Sequence, residues 1–402
     1  MLKKNRLFTP GPTPLLPPAQ VAMAAANVHH RTGDFKALLL KTLSDLKTFI
    51  GTNHDVLLLS CSGTGAMEAS VANLTKAGDK VLVISAGKFG ERWRDLTKTY
   101  GCQVELASAP YGQTVALDTV RQQLGVDGNG FRCLYMQATE SSTGVRHDVE
   151  GVARLIRQAN ANGGEVLFVV DAITGLGTTR FDVDGWGVDI MIGGSQKALM
   201  IPPGLAYLSV SERAWKRMDE PHSPAYYFDL RKERKSAAKG ETAYTPATAL
   251  VAALAAALDF IAQSAGGDLA AGREALIQTA EISAAMTRAA AQALGLQLYA
   301  SIPTNALTAI VPPKNLDSGL IVKEFRERFE AVVANGQGEM KGKMFRIAHL
   351  GYYDYLDAIG IVGAMELVLA RVSPAQVELG AGLRAAQECY AHMTVPATTC
   401  IA

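Results

Sequence analysis

Short apolar runs alternate with helix-length segments along the first half of the chain. The runs lie at residues 56–59, 81–84, 104–106, 133–136, 166–170, 189–192 and 205–210. Runs spaced in this way are typical of a parallel β-sheet covered by helices. The last two are joined by a Gly- and Pro-rich turn at 201–204, which is too short for a crossover helix. We therefore expect a seven-stranded, mostly parallel sheet with an antiparallel neighbour at that turn.

A second, smaller α/β region is expected after the alanine-rich stretch 247–257. The chain turns at Gly266 and Gly267, and the later apolar patterns predict strands at 308–311 and 344–347 and a helix at 358–371. A chain of 402 residues is also too long for one compact core. The predicted α/β organisation is an N-terminal arm, a large domain and a small C-terminal domain, with boundaries at 1–16, 17–260 and 261–402.

Charge and composition narrow the classes of function. The 39 Lys and Arg residues nearly balance the 38 Asp and Glu residues, so no global field attracts nucleic acid or an anionic membrane. The basic run 231–235 has no interleaved aromatic residues and is interpreted as a solvated face. The alanine-rich stretch is shorter than the roughly 20 residues that span a bilayer. We expect small-molecule substrates, no nucleic acid and no membrane.

The cysteine spacing and the N-terminal sequence indicate in which cellular compartment the protein is expected. Cys61, Cys102, Cys133, Cys389 and Cys400 show no paired spacing that would indicate zinc or a disulfide framework. The basic N-terminus leads into prolines at 10, 12 and 14 instead of an apolar segment, which argues against a secretory signal. His29 and His30 have no carboxylate or cysteine ligands at metal spacing. A cytoplasmic protein without a metal is therefore expected.

Two ionisable side chains follow neighbouring apolar runs. Asp171 comes directly after the run 166–170, and Lys197 follows the run 189–192. Because open α/β sheets place ligands at the carboxyl ends of their strands, both side chains are expected to face one cavity. Either residue alone is also explained as a helix-capping acid or an exposed lysine. Together they suit pyridoxal chemistry, which needs a Schiff-base lysine and an acid at the pyridine nitrogen.

The loop 60–68 follows the first apolar run and opens a predicted helix. Free amides at a helix start, together with the helix dipole, favour a phosphate dianion, and Ser62 and Thr64 add hydroxyl donors. The loop lacks the three spaced glycines of a dinucleotide fingerprint. On its own, the pattern is equally typical of a turn followed by a helix cap.

These motifs resemble a known family when they are taken in order. They are Ser-Gly-Thr-Gly-Ala-Met-Glu at 62–68, Glu-Ser-Ser-Thr-Gly-Val at 140–145, Asp171, Gly-Ser-Gln-Lys-Ala-Leu at 194–199 and Pro-Pro-Gly at 202–204. Their order and spacing resemble class V aminotransferases of the pyridoxal-phosphate (PLP) dependent fold type I, above all the alanine–glyoxylate and serine–pyruvate branch. The resemblance extends from residues 10–12 to Arg346, nearly the whole chain.

The resemblance implies a role for each matching residue. Lys197 would form the Schiff base, Asp171 would pair with the pyridine nitrogen, and Ile173 would pack against one face of the ring. The implied cofactor-binding residues are Ser62, Gly63, Thr64, Phe89, Ser141, Asp171, Ile173, Gln196, Lys197, Tyr244 and Thr245. The implied substrate-binding residues are Gly11, Ser141 and Arg346. Thr245 would reach across from the other subunit, which implies a homodimer with shared sites.

Phe89 and Arg346 also have plainer interpretations. Phe89 matches the position where the family stacks an aromatic ring on the cofactor, although many relatives have a larger indole there, and a core phenylalanine is the alternative. Arg346 matches the arginine that binds the substrate carboxylate, and its planar fork suits that group. Its apolar neighbours Phe345 and Ile347 leave it facing either a cavity or solvent.

The resemblance implies transamination between a small amino acid, alanine or serine, and a 2-oxo acid such as glyoxylate or pyruvate, with ping-pong kinetics. Three alternatives remain within the family, namely an aspartate or ureidoglycine-type donor, an aminoethylphosphonate transaminase and a cysteine desulfurase. The last is disfavoured because Gln196 stands where desulfurases typically have histidine. A non-catalytic, hydrogenase-associated subunit is the alternative from another class, since fold alone does not establish function.

Overall fold

A computed structural model describes residues 3–373 and 376–394. Cys400 and the tail at 395–399 lie outside the described residues, as do Met1 and Leu2. The strands, in chain order, are β1 (Arg6–Phe8), β2 (Asp55–Leu59), β3 (Lys80–Ser85), β4 (Gln103–Ser108), β5 (Cys133–Gln137), β6 (Thr139–Glu140), β7 (Val145–Arg146), β8 (Leu167–Asp171), β9 (Ile190–Gly194), β10 (Ala206–Val210), β11 (Leu307–Ile310), β12 (Ala331–Asn335) and β13 (Phe345–Ala348).

Helices surround these strands. In chain order they are α1 (Pro17–Ala25), α2 (Gly33–Ile50), α3 (Gly63–Leu74), α4 (Lys88–Thr99), α5 (Leu117–Leu124), α6 (Val149–Ala161), α7 (Val183–Trp186), α8 (Glu212–Met218), α9 (Leu230–Ala237), α10 (Thr248–Gln263), α11 (Leu269–Ala293), α12 (Ser318–Phe329), α13 (Tyr355–Val372) and α14 (Ala381–Thr394). None of the helices in the described residues is both long enough and apolar enough to cross a membrane.

The large sheet has seven strands in the order β2-β10-β9-β8-β5-β3-β4. β10 runs antiparallel to both of its neighbours, and the other pairs are parallel. The predicted seven strands and the antiparallel neighbour after the turn at 201–204 are therefore confirmed. β8 and β9 lie side by side, with Asp171 in register with Ile192.

The central strands are apolar on both faces because helices cover both sides of the sheet. Phe168 belongs to one core cluster and Val169, the next residue, belongs to the cluster on the opposite face. All five residues of β8 and of β9 are buried. The edge strand β4 is instead half-exposed, and it contains the polar residues Gln103 and Glu105.

The N-terminal arm makes two contacts that sequence patterns did not predict. Its three-residue strand β1 pairs in parallel with β12, at the edge of the small sheet. The arm then crosses to the segment after β9, where the Thr13 amide donates to the Gln196 carbonyl at 3.2 Å. It ends where α1 begins with Pro17, since proline is well tolerated at the first helical positions.

The small sheet has the order β1-β12-β13-β11 and packs with α11, α12, α13 and α14 around a separate apolar core. Its two predicted strands correspond to β11 and β13, and the predicted helix 358–371 lies within α13. α13 begins with a capping box between Asp354 and Asp357. The boundaries proposed for the domains remain a prediction.

Candidate active site

Lys197 is buried at the carboxyl edge of the large sheet. It follows the end of β9, and 9% of the residue is exposed. Its Nζ donates a hydrogen bond to the Pro10 carbonyl at 2.5 Å, and its own carbonyl accepts one from Thr13 Oγ1 at 2.9 Å. The N-terminal arm therefore covers the lysine, which excludes the exposed-lysine interpretation.

Asp171 is the last residue of β8 and lies beside the segment that carries Lys197. One oxygen accepts the Ile173 amide at 2.9 Å. Burial raises the pKa of Asp171 to about 6, although the Ile173 amide and the charge of Lys197 oppose the rise. Burial likewise lowers the pKa of Lys197 to about 8, and the charge of Asp171 opposes that shift. The two groups thus form a buried, electrostatically coupled pair.

The start of α3 has unused hydrogen-bond donors. Ser62 is the N-cap residue, yet its side chain makes no capping hydrogen bond and is exposed. The Gly65 amide donates to the Ser62 carbonyl at 2.8 Å, whereas the amides of Gly63 and Thr64 have no acceptor among the described residues. Gly63 has no room for a side chain, because a Cβ there would lie 2.3 Å from Ile173 Cδ1. The structure therefore brings the predicted phosphate loop beside the residue predicted to pack on the ring.

Gln196 and Ser141 lie on the same edge of the sheet. A Cβ on Gly194 would lie 2.9 Å from Gln196 Oε1 and 3.1 Å from Ile173 Cγ2, so the glutamine side chain returns towards the strand end. Ser141 is buried, and its hydroxyl donates to Thr174 Oγ1 at 2.8 Å. Both side chains are close to the elements that carry Asp171 and Lys197.

Arg346, on β13, connects the small sheet to this site. It is 4% exposed, and Nη1 and Nη2 donate to the carbonyls of Ser141 and Asn335, each at 2.6 Å. Its Nε is buried and has no partner among the described residues. Burial lowers the pKa of Arg346 to about 10. Of the two alternatives left by the sequence, the structure shows the side chain turned inwards.

Gly11 lies against the lysine. A Cβ at this position would lie 2.5 Å from Lys197 Nζ, and the backbone has a φ of +142°. Glycine is therefore required here for steric reasons. The structure places Gly11, predicted to be a substrate-binding residue, in direct contact with Lys197.

Phe89 lies in the first turn of α4, and its position depends on Glu140, a residue of the 140–145 motif for which the sequence predicted no role. Glu140 is fully buried. Its carboxylate accepts the amides of Phe89 at 3.1 Å, Gly90 at 3.2 Å and Ser142 at 3.2 Å. Burial raises the pKa of Glu140, and these donors oppose the rise. In the sequence, the only feature that could have indicated this role is the position of the carboxylate shortly after an apolar run.

Arg92 is a second residue that sequence reasoning missed. It lies on α4, one turn after Phe89, and its Nη1 donates to Thr64 Oγ1 at 3.0 Å. Its guanidinium carbon lies 4.8 Å from the centroid of the Phe89 ring. An arginine in a helix otherwise rich in charged residues has no distinguishing sequence signal.

Tyr244 and Thr245 lie on the surface. Tyr244 stacks on Tyr227 with ring centroids 5.0 Å apart, and its hydroxyl donates to the Tyr226 carbonyl at 2.6 Å. Thr245 is exposed. Within a single chain, the structure does not bring these two residues into the Lys197 site.

The donor set fits a phosphorylated pyridoxal. Unused donors at Ser62 and the start of α3 suit a phosphate, and the orphaned Nε of Arg346 suits a carboxylate. The carboxylate of Asp171 and the amine of Lys197 suit the ring nitrogen and the aldehyde. Among the described residues, no group of three or more His, Cys, Asp or Glu side chains is arranged to hold a metal ion.

Comparison with known proteins identifies the family. Residues 19–283 match the family described as aminotransferase class-V. The chain is 38% identical to the "Soluble hydrogenase, small subunit" of Synechococcus sp., over 96% of this chain and 98% of that protein. It is 33% identical to the L-aspartate–glyoxylate aminotransferase of Paracoccus denitrificans, over 99% of each.

A solved structure agrees with this assignment. The aspartate aminotransferase of subgroup IV from Thermus thermophilus superposes with a TM-score of 0.83 at 34% identity, covering 92% of this chain and 100% of that one. The predicted fold type is thereby confirmed. The family match, the full-length relatives and this superposition together show that the chain belongs to the class V aminotransferases and is a PLP-dependent transaminase.

Proposed function

We propose that this transaminase moves the amino group of a small amino acid, alanine or serine, to a 2-oxo acid such as glyoxylate or pyruvate. The observation that carries the proposal is the buried guanidinium of Arg346. Its Nη atoms bond to backbone carbonyls, whereas its Nε has no partner among the described residues. The guanidinium forms no ion pair among the described residues, although the charge of Glu140 acts on it, and its free Nε fits the one carboxylate that amino and 2-oxo acids share.

Each residue of the site has a task in this reaction. When bound, PLP supplies an aldehyde that condenses with amines and a ring that accepts electrons from the substrate Cα. Lys197 Nζ removes the proton from Cα, which requires a neutral amine, and burial favours that form by lowering the pKa to about 8. Asp171 would hold the protonated ring nitrogen of bound PLP by accepting its hydrogen bond. Ile173 and Phe89 would restrain the ring.

The distribution of charge favours a donor with one carboxylate. Two cations, Arg346 and Arg92, act electrostatically on the Lys197 amine. Arg92 is engaged with Thr64 at the proposed phosphate site. This leaves Arg346 as the group for the α-carboxylate and assigns no cation to a second carboxylate. Aspartate is the second candidate donor, because the relatives from Paracoccus denitrificans and Thermus thermophilus are named for it.

We also propose that the protein works as a cytoplasmic homodimer in which Tyr244 and Thr245 complete the phosphate site of the other protomer. Tyr226 and Tyr227, which contact Tyr244, are 83% and 48% exposed. An exposed aromatic cluster of this kind is typical of a protein interface. Dimerisation would cover it.

A cysteine desulfurase is not favoured. In the part of the chain that the structure describes, the one cysteine in the C-terminal half is Cys389, on α14, where its thiol faces Met393 Sδ at 3.9 Å. Burial raises the pKa of this thiol, which reduces its nucleophilic thiolate fraction. Gln196 also precedes the lysine.

The test is the absorbance spectrum of the PLP-loaded protein before and after each candidate donor. Conversion of the lysine-bound cofactor band to the pyridoxamine form by L-alanine or L-serine, but not by L-aspartate, is the expected result. Lys197→Ala should lack the lysine-bound band. Selective conversion by aspartate would replace the proposed donor. Absence of any band after PLP is added would instead favour a non-catalytic subunit, since the Synechococcus relative is named a subunit of a soluble hydrogenase.

A further inference from the structure

Arg92 lies between the proposed phosphate site and the aromatic ring of Phe89. Its Nη1 donates to Thr64 Oγ1 at 3.0 Å, and its guanidinium carbon lies 4.8 Å from the centroid of the Phe89 ring. A hydrogen bond and a cation–π contact therefore hold the guanidinium in one place. That place adjoins the first turn of α3, where the amides of Gly63 and Thr64 have no acceptor among the described residues.

Arg92 forms no ion pair within the described residues, although its charge acts on the buried carboxylate of Asp171. Its neighbours on α4 are paired, since Arg94 contacts Asp95 at 2.7 Å and Lys88 contacts Glu91 at 2.9 Å. Arg92 is half-buried, and its bonded partner, Thr64, is a neutral hydroxyl. A restrained, partly desolvated arginine that forms no ion pair is suited to bind an anion that arrives from outside the chain.

The phosphate site otherwise consists of neutral groups. Ser62 and Thr64 offer hydroxyls, Gly63 offers a backbone amide, and Gln196 offers a side-chain amide. A phosphate monoester carries about −1.5 to −2 charges near pH 7. Removing such an anion from water costs free energy unless a cation compensates it. Lys197 is assigned to the aldehyde and cannot supply that charge at the same time.

We propose that Arg92 is the cationic ligand of the cofactor phosphate, held in position by Thr64 and Phe89. The inference rests on the proposed phosphate site at the start of α3. The site's electrostatics agree with it. Burial is the largest cause of the lowered pKa of Lys197, and the charges of Arg346 and Arg92 add to it. The charge of Arg92 therefore reaches the catalytic amine, and a bound phosphate would offset it.

The experiment compares two ligands that differ only in the phosphate and lack the aldehyde. Apo-protein is titrated calorimetrically with pyridoxamine 5′-phosphate and with pyridoxamine, and the ratio of the two dissociation constants is the phosphate preference. In Arg92→Gln we expect this preference to fall roughly tenfold or more, the change typical of losing a charge-assisted hydrogen bond. Arg94→Gln, two residues along the same helix and paired with Asp95, should retain the wild-type ratio.

The outcomes separate this inference from the proposed function. A wild-type protein without phosphate preference would overturn both the site at α3 and the role of Arg92. A wild-type preference that Arg92→Gln retains in full would overturn the role of Arg92 alone and leave a structural contact between α3 and α4. If Arg92→Gln does not fold, Arg92→Lys answers the question. Lysine keeps the charge without the fork, so it should retain part of the preference, and this part should weaken with added salt.

Discussion

Gly11 and Lys197 are in contact although they are 186 positions apart in the chain, and the contact leaves no space for a side chain at position 11. A Cβ there would lie 2.5 Å from Nζ, 2.8 Å from Cε and 2.9 Å from Cδ of the lysine. The preceding carbonyl, that of Pro10, accepts the hydrogen bond from Nζ. The N-terminal arm thus positions the lysine amine within the site.

Gly11→Ala should therefore damage catalysis more than folding. The methyl group would displace Nζ, and a displacement of about 1 Å at a reacting group can cost roughly a hundredfold in rate. The positive φ of +142° adds backbone strain. We expect kcat for the amino-acid half-reaction to fall about a hundredfold while the melting temperature changes little. Gly360→Ala, a helical position with no atom within 4 Å of the added methyl, is the matched control. Equal effects of both substitutions on kcat would contradict the prediction.

The sequence predicted the edge of the sheet better than what covers it. Asp171 and Lys197 could be placed because each follows an apolar run, and the carboxyl ends of parallel strands meet at one edge. Hydrophobic periodicity reports local structure, so it contains no information that Gly11 would meet Lys197. β1 was missed for a related reason, since a strand of three residues has no measurable period.

Arg92 and Glu140 were missed because their local patterns are ordinary. Arg92 occurs among other charged residues of an amphipathic helix, where the expectation is a solvated side chain. Glu140 becomes informative only in three dimensions, where its carboxylate receives amides from α4 and from the turn after β6. Arg346 was left facing either a cavity or solvent for the same reason. Its partners, the carbonyls of Ser141 and Asn335, are brought to it by packing between distant elements.

Asp171→Asn should stabilise the apo-protein while abolishing most of its activity. Since burial raises the folded-state pKa of Asp171 to about 6, the folded protein binds more protons than the unfolded chain between about pH 4 and 6. Wild-type stability therefore falls as pH rises through this window. Above it, removal of the buried charge should raise the free energy of unfolding by on the order of 2 kcal/mol. Denaturant titrations of both proteins at pH 4 and pH 7.5 measure the effect.

The corresponding substitution at Asp184 should change the free energy of unfolding in the opposite direction. Burial alone would raise the pKa of Asp184, but hydrogen bonds from Thr52 and Asn53 hold that pKa below its ordinary value. Asp184→Asn should thus destabilise the apo-protein at pH 7.5, with a loss that disappears as pH falls towards the folded-state pKa. Destabilisation of both variants at pH 7.5 would show that Asp171 is held as a structural anion.

Arg346→Gln should weaken the binding of amino acids and 2-oxo acids alike and leave PLP binding unchanged. Both substrate types present one carboxylate, so KM for L-alanine and KM for pyruvate should rise together, by roughly ten- to hundredfold for the loss of a charge-assisted pair. Steady-state kinetics and a PLP titration measure the two effects. Arg288→Gln removes another partly buried arginine, one that donates to the Thr304 carbonyl at 3.1 Å, and should leave both KM values unchanged. A rise confined to one of the two substrates would assign its carboxylate to another residue.

Glu140→Gln should loosen the cofactor through Phe89. The carboxylate accepts the amides of Phe89 and Gly90, and it accepts the Ser142 hydroxyl at 2.5 Å. Glutamine brings two donors into a pocket lined with donors, so the start of α4 must shift and carry the Phe89 ring with it. We expect the PLP dissociation constant to rise about tenfold, the scale of one charged hydrogen bond.

A double-mutant cycle with Phe89→Ala separates positioning from general destabilisation. If Glu140 acts through the Phe89 ring, Glu140→Gln should raise the PLP dissociation constant by less than about twofold in the Phe89→Ala background. The contact that Glu140 supports is already absent there. If the two substitutions instead raise the PLP dissociation constant independently, so that their factors multiply, Glu140 stabilises the fold without positioning the ring. Asp148→Ala is the control, since Asp148 caps α6 by accepting the Gly151 amide at 2.8 Å. Loss of that cap should lower the melting temperature without changing the PLP dissociation constant.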